Sequence, residues 1–363
     1  MLPVKPLDQL DPTLIIGTGL IGASIGQRLT ALGAEVFLAD ADHAHAVVAA
    51  SRGAGLVARP RPETVKLVVV ATPPDSVADE VVDALHRYRS ATVTDVASVK
   101  SSIETTVLAA TAAEGRDDAR RYVGSHPMAG SQHAGPLTAA AELFLDRTWV
   151  IVERPDQSPV AVATVHALAG ACGAIPLPMD AAGHDRAVAA VSHLPQLMAS
   201  LTAARLLDDV PGDLKLAGQG VRDVTRVAAS DVTMWRQIVA ANTEAVRTQL
   251  VAVQADLGAL IERLHDPATV EDLLRRGRAG VAALPGKHGK AAAELESVVV
   301  QIPDTPGALA RLFADIDRLG VNVEDLSIEH DPVQEAGFLA VQVTPEKAAA
   351  LADALRAAGW LVR

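Results

Sequence analysis

A short apolar run, Leu14-Ile15-Ile16, leads straight into Gly17-Thr18-Gly19-Leu20-Ile21-Gly22, and Ala23 to Leu32 follows with helical composition. Strand, G-x-G-x-x-G loop and helix in this order leave few folds open. The first glycine allows a tight turn, the second lets backbone approach a pyrophosphate, and the third lets helix and strand pack closely. Gly33 is a natural stop for the helix. The helix start offers unpaired N–H groups to an anion, so Gly17, Gly19, Leu20, Ile21 and Gly22 are candidate dinucleotide-binding residues. Asp40 ends a second apolar run, Val36-Phe37-Leu38-Ala39, and is placed to accept hydrogen bonds from a ribose 2′-hydroxyl. Ala41-Asp42-His43 supplies no arginine for a 2′-phosphate, so NAD is expected rather than NADP. A bare fingerprint of this kind is also compatible with a turn that serves packing alone.

The alternation continues with Leu67 to Ala71, Thr92-Val93-Thr94 and Trp149 to Val152. Near-continuous apolar strands between alanine-rich helices predict an α/β domain over 1–178. Its core is a Rossmann-type, doubly wound parallel sheet covered on both faces. Over 179–284 no convincing strand is legible. Ala187 to Leu207 and Val232 to Leu264 predict long helices in an all-α domain for substrate and dimer contacts, the first kinked at Pro195. Pro285-Gly286-Lys287-His288-Gly289-Lys290 opens a linker over 285–296. Over 297–363 the order is strand (Val298 to Ile302), helix (Ala308 to Leu319), strand (Val321 to Glu329), strand (Phe338 to Val343), helix (Pro345 to Ala358) and strand (Trp360 to Val362). That βαββαβ order is a ferredoxin-like module.

Composition narrows the partners. A formal charge of −12 argues against nonspecific binding to nucleic acid or an anionic membrane. At 2% aromatics, base-stacking platforms are not expected. No Cys/His cluster has metal-ligand spacing, so no metal is expected. The single cysteine, Cys172, excludes an intramolecular disulfide and fits a reducing compartment. Met1 to Leu10 lacks the apolar core of a secretory signal, and the apolar runs fall short of the roughly 20 residues that span a bilayer. A soluble cytoplasmic protein is the expectation.

Gly124-Ser125-His126-Pro127-Met128-Ala129-Gly130 places one imidazole in a Gly-rich loop beside a proline. A histidine held within reach of a bound nicotinamide can take a hydroxyl proton as a hydride leaves. A lone His-Pro is more often a polar surface or satisfied core residue. Ala71-Thr72-Pro73-Pro74 directly follows a strand, so Thr72 and Pro73 are either cofactor contacts or an ordinary turn. Asp95-Val96-Ala97-Ser98-Val99-Lys100 follows the next strand, where such sheets place ligand-facing residues. Later come His184-Asp185, Ser192-His193-Leu194-Pro195-Gln196, Arg222-Asp223-Val224-Thr225-Arg226, Ser230-Asp231 and Trp235.

This set, in this order and spacing, resembles the prephenate/arogenate dehydrogenase family of tyrosine biosynthesis. The most specific parts are the His-Pro-Met-Ala-Gly stretch and the Arg-Asp-x-Thr-Arg…Trp segment. Asp304-Thr305-Pro306-Gly307 and Gly320-Val321-Asn322-Val323 are similar to the ACT domain that some members carry. The resemblance covers nearly the whole chain from Leu14 onward. It implies an NAD-dependent oxidative decarboxylation: hydride leaves ring C4, the C4 hydroxyl loses its proton, and loss of the C1 carboxylate makes the ring aromatic.

By the same resemblance His126 is the base and Ser98 hydrogen-bonds the hydroxyl or the histidine; Ser98 as a helix N-cap is the plain alternative. Arg226 would hold a substrate carboxylate, against an ion pair of Arg226 or Arg222 with Asp223. Ser131 and Ser192 would be further polar contacts, and Trp235 a packing residue or ligand contact. His184 and His193, in alanine-rich helical stretches, are more simply core histidines with polar partners. Many bacterial members have Ser-His-x-Pro-His where this chain has Gln196, which bonds but does not titrate. An arogenate site would gain from a carboxylate near the substrate ammonium. Asp185 is the nearest by sequence, and prephenate is favoured.

For the last module the resemblance implies tyrosine as effector, with Asp304, Pro306, Gly307 and Asn322 at its site, or a module that only dimerises. A homodimer is expected. A β-hydroxyacid dehydrogenase matches at the fingerprint only: the middle region has Lys215 alone, with no asparagine four residues on. A non-catalytic NAD and amino-acid sensor would bind cofactor without turnover and has no use for a positioned base.

Overall fold

The structure is a computed structural model that describes residues 6–363 apart from 114, 116, 131–134, 209–211, 285–294, 304, 324 and 332–335. Ser131, Asp304 and most of the expected linker lie outside the described residues. The chain divides into two compact units, 1–263 and 264–363.

The first unit opens with β1 (Thr13–Ile16), α1 (Leu20–Ala31), β2 (Val36–Ala39) and α2 (His43–Ser51). It continues through β3 (Leu67–Val70), α3 (Val77–Arg87), β4 (Thr92–Asp95) and α4 (Ser101–Ala113). The four strands are parallel, in the order β2-β1-β3-β4. Both faces are buried, as the apolar runs predict. On β3, Leu67 and Val69 join a core with Ile15, Leu38 and α1's Ile25 and Leu29. Val68 and Val70 join another with Leu14, Val93 and α3's Val81 and Leu85. Each such fully buried side chain stabilises the fold by about 1.5–3 kcal/mol in transfer terms.

The strand order reverses between β1 and β3, which puts a ligand crevice at their carboxyl ends. There Gly17 has φ +93°, and a Cβ on it would lie 2.5 Å from the Ala71 carbonyl oxygen. A Cβ on Gly22 would lie 2.0 Å from the Gly17 oxygen, so only glycine lets α1 sit this close.

The expected fifth parallel strand is placed differently. β5 (Ser125–Pro127), β6 (Thr148–Val152) and β7 (Ile175–Met179) form a second sheet in the order β5-β6-β7. The Gly-rich His126 segment is thus a three-residue strand rather than a loop, antiparallel to β6 with His126 opposite Val150. It runs alongside β4 through Val123 N–H donating to Val93 O at 3.0 Å. β7 was not legible because Pro176 and Pro178 alternate along it; β7 pairs with β6 alone, so both prolines are tolerated on an edge. α5 (Pro159–Ala171) connects β6 to β7.

Helices follow. α6 (Ala181–Val188) and α7 (Leu194–Arg205) are joined through one π turn, Ala189–His193. Pro195 explains the π turn: it has no N–H for the helical ladder, and the chain absorbs an extra residue before it instead of bending sharply. By length and composition alone, 181–205 passes as a membrane span. The buried His184, Asp185, His193 and Gln196 on it instead bond into this unit. α8 (Gln219–Thr225) leads through a 3-10 turn, Arg226–Ala229, to α9 (Val232–Ala241) and α10 (Thr243–Glu262). The single helix expected from Val232 is therefore broken at Asn242.

In the second unit α11 (Pro267–Ala282) precedes β8 (Glu296–Pro303), α12 (Ala308–Arg318), β9 (Asp325–Asp331), β10 (Ala336–Val343), α13 (Pro345–Ala357) and β11 (Leu361–Val362). The antiparallel order β11-β8-β10-β9 is that of a βαββαβ module. Val298, Val300 and Leu339 pack against Leu312 of α12 and Leu351 of α13. Trp360 caps this core and donates from Nε1 to Asp315 Oδ2 at 2.8 Å. β9 starts four residues later than the pattern predicts. Gly307, with φ +83°, and Pro306 lie in the β8–α12 turn, and Asn322 lies between α12 and β9.

Candidate active site

The glycine loop and its surroundings suit a dinucleotide. α1 starts at Leu20 with Gly19 as N-cap and no side chain bonded over its free N–H groups. A Cβ on Gly19 would meet nothing within 4 Å, so backbone there is open to a ligand. Asp40 lies just past β2, where Oδ2 accepts from Thr18 N–H at 2.6 Å and Thr18 Oγ1 at 2.8 Å. Its carboxylate therefore faces the loop; Oδ1 accepts from the Asp42 N–H at 2.9 Å and keeps a lone pair for a ribose hydroxyl. Across the crevice, Thr72 Oγ1 is buried without a hydrogen-bond partner, an orphan that a cofactor group would satisfy. Pro73 beside it is exposed.

The second cluster is built around His126. β5 holds its backbone, and His126 Nδ1 lies 2.9 Å from His184 Nε2. His184 Nδ1 lies 2.8 Å from Asp185 Oδ1, on the first turns of α6. Asp185 also accepts from the backbone N–H groups of Lys100 (2.9 Å) and Ser101 (2.8 Å), and so caps α4. Ser98 is therefore not the N-cap of α4; it lies half-buried in the connection before it. That connection is closed by Lys100, whose Nζ donates to Asp95 Oδ1 and, at 2.7 Å, to the carbonyl of Ser125. Tyr122 Oη donates to the other Asp95 oxygen at 2.8 Å. One buried cation thus ties the Ser98 connection to the residue before His126.

Burial pushes the His126 imidazole well below its ordinary pKa of 6.5; His184, Lys100 and His193 push the same way and Asp185 opposes them. Burial likewise lowers His193 and Lys100, the latter against the opposing pull of Asp95. The outcome is a neutral imidazole near neutral pH, suited to accepting a proton.

His193 occupies the π turn. Asn242 Nδ2 donates to the Asp185 carbonyl at 2.8 Å and faces His193 Nδ1 at 3.3 Å. His193 Nδ1 is then the acceptor, and its Nε2 carries the hydrogen. Trp235 packs edge-on against this ring at 5.9 Å between centroids. It also packs, as Ala97 does, against the core that includes Ile238. Ser192 is half-buried in the same π turn.

Gln196 is buried, and its Nε2 donates to the Val227 carbonyl at 2.9 Å. It therefore anchors the turn that starts with Arg226. Arg226 is exposed and makes no ion pair among the described residues; Asp223 instead accepts from Gln219 Nε2 at 2.7 Å. The expected alternative, an Arg226–Asp223 pair, is absent. His126, His184, Asp185, Asn242, His193 and Trp235 are linked by contact, and Gln196 brings in the Arg226 turn. Among the described residues, no hydrogen bond or ion pair links Ser98 or Arg226 directly to His126.

Sequence reasoning set His184 and His193 aside as core residues. His184 is indeed buried with an acidic partner, yet that partner chain ends on His126. The adjacency His184-Asp185 was legible; which ring it would meet was not. Asn242 carried no signal beyond an asparagine inside an apolar helical pattern.

Comparison with known proteins identifies a family. Residues 25–175 match the family described as prephenate dehydrogenase, nucleotide-binding domain, and residues 180–276 match prephenate dehydrogenase, dimerization domain. A probable prephenate dehydrogenase, NovF, of Streptomyces niveus is 34% identical over 96% of this chain and 98% of its own length. The prephenate dehydrogenase of Lactococcus lactis subsp. cremoris is 26% identical over 88% of this chain and 92% of its own. Among solved structures, a prephenate dehydrogenase from A. aeolicus in complex with hydroxyphenyl propionate and NAD+ is 25% identical. It aligns with a TM-score of 0.66 over 75% of this chain and 98% of its own.

Proposed function

Because the chain belongs to the prephenate dehydrogenase family, we propose that it converts prephenate to 4-hydroxyphenylpyruvate with NAD, using His126 as the base. The observation that carries the assignment of the base is the His126 imidazole, kept neutral by burial and bonded, among the described residues, through Nδ1 to His184. Bound NAD accepts the hydride from ring C4. His126 takes the proton of the C4 hydroxyl, and Ser98 hydrogen-bonds the same hydroxyl. Arg226, free of any described acidic partner, pairs with the ring carboxylate. A planar guanidinium suits that bidentate contact until CO2 leaves. Ser131, Ser192 and Gln196 contact the substrate's polar groups, with Trp235 packed beneath. Gly17, Gly19, Leu20, Ile21 and Gly22 hold the pyrophosphate, Asp40 the ribose, and Thr72 and Pro73 cover the cofactor.

Prephenate is favoured over arogenate for a structural reason. The nearest acidic candidate for an ammonium, Asp185, is already engaged by His184 and two backbone N–H groups. NADH formation should therefore be faster, in kcat/KM, with prephenate. A higher kcat/KM with arogenate would reverse the substrate assignment. Arg226→Ala should raise KM for prephenate about 10- to 100-fold with a smaller change in kcat, the loss of one charge-assisted contact present from the ground state onward. An unchanged KM would remove Arg226 from the site.

The remaining readings concern assembly and control. The domain limits are read at 178, 284 and 296; the two family matches cover 25–175 and 180–276. A homodimer is supported by the second match and by α10, where Val251 lines an open groove of about 450 Å³ and Leu257 and Ile261 are exposed. The βαββαβ module is read as an ACT-like regulatory domain binding tyrosine at the β8–α12 turn, through Asp304, Pro306, Gly307 and Asn322. Backbone N–H groups at such a turn can receive an amino-acid carboxylate. Inhibition of NADH formation by added tyrosine, lost when residues 297–363 are deleted, is the expected result. A cytoplasmic location fits Cys172, which is buried with its thiol pushed up to about 12 and so unreactive.

A further inference from the structure

Asp185 serves three neighbours at once. Its oxygens accept from the Lys100 and Ser101 N–H groups, and the oxygen shared with Lys100 also faces His184 Nδ1. Burial pushes this carboxyl up, but the hydrogen bonds from His184, Ser101 and Lys100 outweigh it and hold the group below the ordinary carboxylate value. An ionised carboxylate can only accept, so the hydrogen between it and His184 sits on His184 Nδ1. With a single ring hydrogen, on Nδ1, His184 keeps Nε2 as its lone-pair nitrogen. Its contact with His126 Nδ1 at 2.9 Å is a hydrogen bond only if His126 donates from Nδ1. That leaves His126 Nε2 unprotonated.

We propose that His184 and Asp185 are positioning residues for the base: anchored on the start of α4, they fix His126 as its Nδ1–H tautomer and present Nε2 to the substrate hydroxyl. The proposal rests on the reading of His126 as the base. The hydroxyl proton moves to His126 Nε2, the O–H electron pair becomes the second C–O bond, and the C4–H pair leaves as hydride. When the bond to the C1 carboxylate breaks, its electrons enter the ring, and the Nε2 proton returns to the oxygen as the phenol forms. Throughout, Nδ1–H stays on His126, and His184 with Asp185 stabilises the transient imidazolium without taking its proton. The other titratable groups around His126 are Lys100, committed to Asp95 and the Ser125 carbonyl, and His193, whose Nδ1 faces Asn242.

The test is 15N-histidine NMR of the full-length protein, with kinetics of three variants. Wild type should show His126 protonated at Nδ1 and bare at Nε2. In Asp185→Asn the side-chain amide can donate to His184 Nδ1, which reverses both tautomers. kcat should fall about 10²- to 10⁴-fold, with KM and NAD affinity within a few fold of wild type. His184→Gln keeps an oxygen that accepts from His126 Nδ1–H without help from Asp185. It should retain at least about ten times the kcat of His184→Leu, and adding Asp185→Asn to it should cost little more. A wild-type His126 protonated at Nε2, an Asp185→Asn enzyme with wild-type kcat, or equal losses in the two His184 variants would overturn the proposal. If wild type fails to oxidise prephenate, the functional reading falls, while the tautomer measurement still decides this one.

Discussion

His126→Asn is expected to lower kcat by about 10²–10⁴ and leave NAD affinity near normal. Asparagine can place its amide nitrogen near the former Nδ1 and still donate to His184 Nε2, so the β5 backbone and its neighbours need not move. What disappears is the second ring nitrogen, the only atom in the cluster assigned to take the hydroxyl proton. The residues proposed to hold NAD, the glycine loop, Asp40 and Thr72, share no hydrogen bond or ion pair with this ring among the described residues. The wild-type pH profile follows from the same site. A base whose pKa lies below 6.5 stays unprotonated as pH falls through that value. The acid limb of kcat/KM should therefore lie below 6.5, and His126→Asn should abolish it. Steady-state kinetics between about pH 5 and 9 reads both, and an unchanged kcat would remove His126 from the chemistry.

Lys100→Met should destabilise the protein by about 3–5 kcal/mol, the usual cost of removing one partner of a buried ion pair. Lys100 is 1% exposed and Asp95 not at all. The ammonium neutralises Asp95 and satisfies the Ser125 carbonyl, whereas Tyr122 and the Ala97 N–H supply hydrogen bonds but no charge. Methionine fills much of the volume, so the loss is electrostatic rather than a cavity. Asp95→Asn combined with Lys100→Met removes both charges and should recover most of the lost stability, because the desolvation penalty goes with them. Denaturant unfolding of the two single variants and the double variant measures this coupling. A Lys100→Met loss under about 1 kcal/mol would mean that the pair contributes little.

The glycine fingerprint exposed the first half of the fold because each of its residues has a backbone reason to be there. Gly22 alone lets α1 lie against the loop after β1, and that requirement is local in sequence. The apolar strands β1 and β3 were legible for a related reason: burial on both faces leaves no polar alternation. β7 was hidden, since prolines at 176 and 178 are signals against a strand unless it lies on an edge, and edge position is a tertiary property. The breaks at the π turn and at Asn242 were partly hidden too. Pro195 announced a disturbance, but which residues absorb it depends on how His193 packs against Trp235 and Asn242.

The site divides in the same way. His126, Ser98 and Arg226 stood out as residue types in short motifs. That His184 and Asp185, some 58 residues on, reach His126 and the start of α4 depends on how α6 packs against β5 and α4. No spacing rule carries that information. Lys100 was visible only as the end of a motif, and its burial against Asp95 and Ser125 appears once β4 and β5 lie side by side.

Hydride transfer is expected to be coupled to loss of CO2 from prephenate through a neutral histidine. A single-turnover reaction at neutral pH tests it directly, with enzyme in excess over prephenate and NAD saturating, following NADH absorbance and released CO2 together. One equivalent each of NADH and CO2, with the aromatic 4-hydroxyphenylpyruvate as product, is the expected result. No NADH, or NADH formed without CO2, would contradict it.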